Sequence, residues 1–139
     1  MKKYLLILLI ICLTVSACAA KENGRSIVGS WKLTAYGPAD SPTPAVPDVE
    51  AILNFGTDGT LAGTTGCNQI GGEYRVEGDQ ITFGPIVSTL IACPDLQMAQ
   101  EETMLQVLTD TASFKIEGDT LTITNNDMVL VFEAVTTGS

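Results

Sequence analysis

Residues 28–36 (VGSWKLTAY) alternate between apolar and polar positions, which puts Trp31 and Leu33 on one face with Ala35 following them. A period of two marks a strand with one buried side. Trp31, the only tryptophan, reads as a core anchor, with ligand stacking as the other role open to it. Residues 37–48 (GPADSPTPAVPD) hold four of the six prolines. Proline cannot donate to a ladder, so this stretch is expected as an exposed loop. Strand character returns over residues 50–55 (EAILNF), turns at Asp58-Gly59 and comes back over 60–65. An Asp-Gly pair fits the tight turn of a hairpin.

The pattern then echoes itself. YRVEGDQITF from Tyr74 aligns with FKIEGDTLTI from Phe114. Both predict hairpins, over 73–83 and 114–123, with Gly78 and Gly118 where the turn needs positive φ. A last strand over 128–134 follows the turn Asn125-Asn126-Asp127. Between the two echoes the period changes. Residues 95–110 (DLQMAQEETMLQVLTD) are rich in helix formers, and Pro94 suits a first turn. Leu96, Ala99, Thr103 and Val107, joined by Met104 and Leu108, fall near one helix face, which predicts packing against a sheet. Its methionines would also suit a partner surface. The pattern predicts a mainly β (α+β) domain with one α-helix between two hairpin segments.

The N-terminus follows a different rule. Met1-Lys2-Lys3 is basic, residues 4–13 (YLLILLIICL) are unbroken apolar, and small residues lead to Cys18. That order describes a secretory signal peptide, and the run falls short of the about 20 residues of a membrane span. Val15-Ser16-Ala17-Cys18 resembles the lipobox of bacterial lipoproteins. The resemblance implies cleavage before Cys18, a diacylglycerol on its sulfur and an acylated new N-terminus; ordinary cleavage near Ala17 or Ala20 is the alternative. Several acyl chains hold a protein on a bilayer where one is marginal. Ala19, in place of Asp, resembles the outer-membrane pattern of a Gram-negative host. The expected organisation is a lipoprotein signal peptide (1–17), a lipidated tether (18–26) and one domain (27–135).

Charge and cysteines add to this picture. Seven basic residues face 16 acidic ones for a net charge of −9, and loss of Lys2 and Lys3 makes it two units more negative. Nothing here attracts nucleic acid. Anionic headgroups repel such a chain, so membrane attachment is expected through the lipid. Once Cys12 leaves with the signal and Cys18 carries lipid, Cys67 and Cys93 remain as an even pair in an oxidising compartment. A disulfide between them would stabilise by roughly 3 kcal/mol. Two buried thiols, or a redox pair, are the alternatives; the second lacks CxxC spacing and an electropositive neighbour.

The sequence has no histidine, hence neither the commonest general base nor the commonest metal ligand. GxSxG and HExxH are absent, and Gly63-x-x-Gly66 is not followed by the Lys-Ser/Thr of a phosphate loop. No catalytic residue, metal or cofactor is expected. Asp58, Glu77, Asp79, Glu117, Asp119 and Asp127 read as solvated turn residues. A hydrolase built on paired carboxylates is the alternative to a binding protein. Asn68, between glycine pairs, reads as a side chain bonding to backbone rather than to ligand.

Trp31-x-Leu33, Leu53-x-Phe55 before Asp58-Gly59, Gly63-x-x-Gly66-Cys67-Asn68, Gly72-x-Tyr74, residues 89–93 ahead of the helix, and Phe114-x-Ile116-x-Gly118-Asp119-x-Leu121 form a set. Together they resemble the META domain family, whose bacterial members include the HslJ-like heat-shock proteins. The resemblance runs over about 28–132, and Gly-Cys-Asn with the downstream Cys93 is its specific part. It implies a small antiparallel β-barrel or half-open barrel with one helix. It also implies a non-enzymatic envelope protein linked with stress or antibiotic tolerance, chaperone-like or binding an envelope protein or small apolar ligand. It assigns no ligand site to particular residues.

Overall fold

A computed structural model of the chain describes residues 25–136. Ten strands and one helix follow in the order β1 (Gly29–Pro38), β2 (Thr43–Pro44), β3 (Ile52–Phe55), β4 (Thr60–Thr64), β5 (Gln69–Glu77), β6 (Gln80–Phe83), β7 (Val87–Ser88), α1 (Asp95–Val107), β8 (Thr111–Glu117), β9 (Thr120–Asn125) and β10 (Met128–Ala134). Eight of the strands pair antiparallel in the order β10-β9-β8-β6-β5-β4-β3-β1, and β10 returns to β1. The sheet is therefore a closed barrel, not a half-open one. β2 and β7 are short additions on β1 and β5.

The alternation seen in the sequence fills the barrel. Trp31, Leu33, Leu53, Phe55, Leu61, Ile70, Ile81, Phe83, Leu121, Ile123, Leu130 and Phe132 are buried on the inner face. One break in the pattern lies in β1. Leu33 faces Phe132 but Ala35 faces Val131, so Thr34 is an extra residue. This bulge turns the next side chain inward: Tyr36 is buried, and Ala35 does not continue the face of Trp31 and Leu33. The proline-rich stretch is likewise not all loop. β1 runs into Pro38, and Thr43–Pro44 makes two rungs with Ala35 and Tyr36 before solvent takes over. The close β3–β4 contact requires Gly63, because a Cβ there would lie 2.0 Å from the Ile52 carbonyl oxygen.

The helix is shorter than its composition suggests. It ends at Val107 with Leu108 as its cap, and Asp110 adopts φ 51° to enter β8. Its buried face is also rotated from the expected one. Gln100, Glu101, Met104 and Val107 point inward, while Leu96 and Ala99 are exposed. Apolar content placed Leu96 on the core side; two polar residues with partners across the barrel took its place. The helix packs on β10, β1 and β9. Asn125 fastens it by donating to the carbonyls of Val107 (3.2 Å) and Thr109 (2.8 Å). The helix therefore stoppers the end of the barrel that carries the β4–β5 and β9–β10 turns. The opposite end carries the β3–β4, β5–β6 and β8–β9 turns and the point where the chain enters, at Arg25.

Candidate functional site

At the stoppered end lies a buried polar knot. Thr65, Asn68, Gln100 and Glu101 are 0, 1, 0 and 7 % exposed. Thr65 opens the tight β4–β5 turn: its hydroxyl accepts from the Asn68 amide at 3.0 Å and donates to Glu101 Oε2 at 2.6 Å. Asn68 uses every polar position of its side chain. Its Nδ2 donates to Glu101 Oε1 (2.9 Å) and the Ile91 carbonyl (3.1 Å). Its Oδ1 accepts from the Thr89 hydroxyl and the Ile91 amide, both at 2.7 Å. Gln100 donates to the Thr65 carbonyl at 2.7 Å and accepts from the Val46 amide at 2.8 Å, so the helix also holds the proline-rich loop. Gly66 adopts φ 93°, a conformation that other residues rarely take, and a Cβ there would crowd Gln100 Nε2 at 3.0 Å.

Beside this knot Cys67 and Cys93 form a disulfide, with Cα atoms 6.0 Å apart. It ties the β4–β5 turn to the residue before Pro94, the helix cap. Asn68 is thus a structural clasp between that turn and residues 89–91. Glu101 was not singled out from the sequence. The signal for it, a carboxylate in a run of helix formers, is no different from that of its exposed neighbour Glu102. Three donors hold Glu101, the Thr65 hydroxyl and the backbone amide and Nδ2 of Asn68, which makes it part of the knot. The turn carboxylates Asp58, Glu77, Asp79, Glu117, Asp119 and Asp127 are all exposed. Among the described residues no group of three or more His, Cys, Asp or Glu side chains is placed to hold a metal ion. Cys18 lies outside the described residues.

Clamping residues 89–93 has a visible result. Leu90 is 95 % and Ile91 59 % exposed, and Val87 and Leu96 stand out beside them. These form an apolar apron on the stoppered end.

The other end is open, for a reason that lies in strand lengths. β6 and β8 pair only from Gln80–Thr82 to Thr111–Ser113, and the last rung is the Phe114 amide on the Asp79 carbonyl at 2.8 Å. Beyond it the two echoed hairpins part. Tyr74 and Val76 stand opposite Phe83 and Ile81, and Phe114 and Ile116 opposite Ile123 and Leu121. Residues directly opposite share a face, so all four belong to the barrel interior. Yet none of the four is buried, and Val76 is 38 % exposed. They line a groove of about 1060 Å³ with Lys115, Glu117, Asp79 and the entering residues Arg25 to Val28.

The floor of this mouth is well built. Ile27 is buried, and its carbonyl accepts from Trp31 Nε1 at 2.7 Å. Arg25 lies over the Trp31 ring, 5.5 Å from its centroid, and pairs with Asp119. Phe55 and Tyr74 meet edge to face at 5.0 Å, and the Tyr74 hydroxyl donates to the Gly56 carbonyl at 2.6 Å. Burial first, and then the charge of Asp58, push the Tyr74 phenol above the ordinary tyrosine range. Asp58 itself is held low by hydrogen bonds from the Thr60 hydroxyl and amide. A raised folded-state value means stability that is complete below the unfolded tyrosine value and lost as pH rises through the folded one. In an alkaline titration followed by tyrosinate absorbance, a late-ionising phenol is expected and should vanish in Tyr74→Phe. Retention of that late component in the variant would assign it elsewhere.

A closed antiparallel barrel, stoppered by a helix at one end and open onto its own interior face at the other, makes a cup-shaped barrel. The chain belongs to the META domain family, whose profile matches residues 25–136. Solved structures share the fold. A protein from Burkholderia xenovorans has TM-score 0.65 at 24 % identity, over 78 % of this chain and 82 % of that one. A DUF4847 family protein from Bacteroides vulgatus has TM-score 0.57 at 14 % identity, over 76 % of this chain and 91 % of that one. No curated protein matches the sequence.

Proposed function

We propose that the protein is an exported, lipid-anchored module of the cell envelope that binds a small apolar ligand in the barrel mouth and performs no catalysis. The observation that carries the reading is the set Tyr74, Val76, Phe114 and Ile116: interior-facing side chains that the barrel leaves uncovered. Binding sites of small molecules are concave and mostly apolar, with a few polar groups at the rim. The Arg25–Asp119 and Lys115–Glu117 pairs supply such a rim. The META domain is in keeping with a binding role, and the lipobox supports attachment through Cys18. The resemblance to HslJ-like proteins adds a link with stress or antibiotic tolerance. A protein partner would instead use the apolar apron around Leu90.

Two measurements test this reading. Mass spectrometry of membrane fractions should find the mature chain acylated at Cys18, and Cys18→Ser should leave it soluble or unprocessed. An unacylated wild type at the membrane would end the lipoprotein reading. Anilinonaphthalene sulfonate should bind saturably with a rise in fluorescence that Val76→Glu reduces ten-fold or more in affinity. Undiminished binding by that variant would remove the mouth as the site.

A further inference from the structure

We infer that the mouth takes the acyl chain of a single-chain amphiphile drawn from the bilayer to which the tether holds the protein. The inference rests on the lipid-anchored reading above and adds to it an orientation and a ligand class. The chain enters the described domain at Arg25, and Arg25 to Val28 form part of the mouth itself. Seven residues run from Ala19 to Arg25. Fully extended they reach at most about 24 Å. An acyl group on Cys18 lies in the membrane, so the mouth stands within that distance of the surface. The stoppered end lies further off by the length of the barrel. β5 alone, nine residues from Gln69 to Glu77, is about 30 Å long. The open end therefore faces the lipid, and the apron of Leu90 and Ile91 faces away from it.

The lining suits an acyl chain. Between the parted hairpins Tyr74, Val76, Phe114 and Ile116 make an apolar slot that leads inward toward Ile27. A chain sliding into it takes its methylene groups out of water, which favours binding. At the rim Arg25 pairs with Asp119 and Lys115 with Glu117. A headgroup would therefore stay in water at the rim. Among the described residues the two hairpins frame one such slot.

The sequence supplies its own reporter. Trp31, the only tryptophan, is 1 % exposed beneath the mouth. The test uses full-length acylated protein in phosphatidylcholine vesicles, titrated with dibromostearate, a short-range quencher of indole emission. Saturable quenching is expected, absent with unbrominated stearate. Val76→Glu and Ile116→Glu should each weaken it ten-fold or more, with unchanged far-ultraviolet dichroism, whereas Gln106→Glu on the helix should leave it as it is. If dibromostearate fails to quench while anilinonaphthalene sulfonate still binds at the Val76-sensitive site, the acyl class is wrong and the binding module stands. If neither binds, both fall. If quenching appears only in soluble Cys18→Ser protein, the protein's own acyl chain fills the mouth, and uptake from the bilayer is overturned.

Discussion

Cys67→Ser and Cys93→Ser should each lower the melting temperature by about 12 °C. The loop that the disulfide closes spans 26 residues, worth roughly 3 kcal/mol of unfolded-state entropy, and a domain of this size shifts by roughly 4 °C per kcal/mol. The bond also fixes where the helix begins, since Pro94, its cap, follows Cys93 directly. Both single variants remove the same link, so the double variant should cost little more than either. Additive losses would mean that each sulfur stabilises by its own packing. Free-thiol labelling of both cysteines in the oxidised protein would dismiss the bridge outright.

Asn68→Ala should cost about as much or more, on the order of 3–5 kcal/mol, because it orphans several groups at once. Glu101 Oε1 and the Ile91 carbonyl each lose a donor, and the Ile91 amide loses its acceptor. An unpaired buried polar group costs about 1–3 kcal/mol, and a domain has only roughly 5–15 to lose. Asn68→Asp should do no better: it keeps the acceptors but sets a second carboxylate where Nδ2 now lies 2.9 Å from Glu101. A urea midpoint for Asn68→Ala equal to that of the wild type would show that the knot fills space without holding the turn.

What could be read in the sequence follows from range. Strand faces and turns obey local rules, so Trp31-x-Leu33, Leu53-x-Phe55 and the two Glu-Gly-Asp turns announced themselves, and Gly59, Gly78 and Gly118 do adopt positive φ. The bulge at Thr34 did not, since it is defined by the register with β10. The buried helix face departs from the expected one for the same reason. Gln100 and Glu101 are buried only because Thr65 and Asn68 wait for them across the barrel. Composition along α1 cannot see partners more than 30 positions away. The mouth was half visible: the echo located both hairpins, but nothing local says that their pairing stops at Asp79 and Phe114.

The seam between β1 and β10 sets the tempo of folding. Trp31 lies opposite Ala134, so the first and last strands must meet before the barrel has no edge. Contacts so distant along the chain are slow to form, on the millisecond-to-second scale of all-β domains. Until the final strand arrives, β1 and β9 both offer unpaired edges to any neighbour, the state in which chains of this kind aggregate. A truncation ahead of Met128 would be permanently caught at that stage.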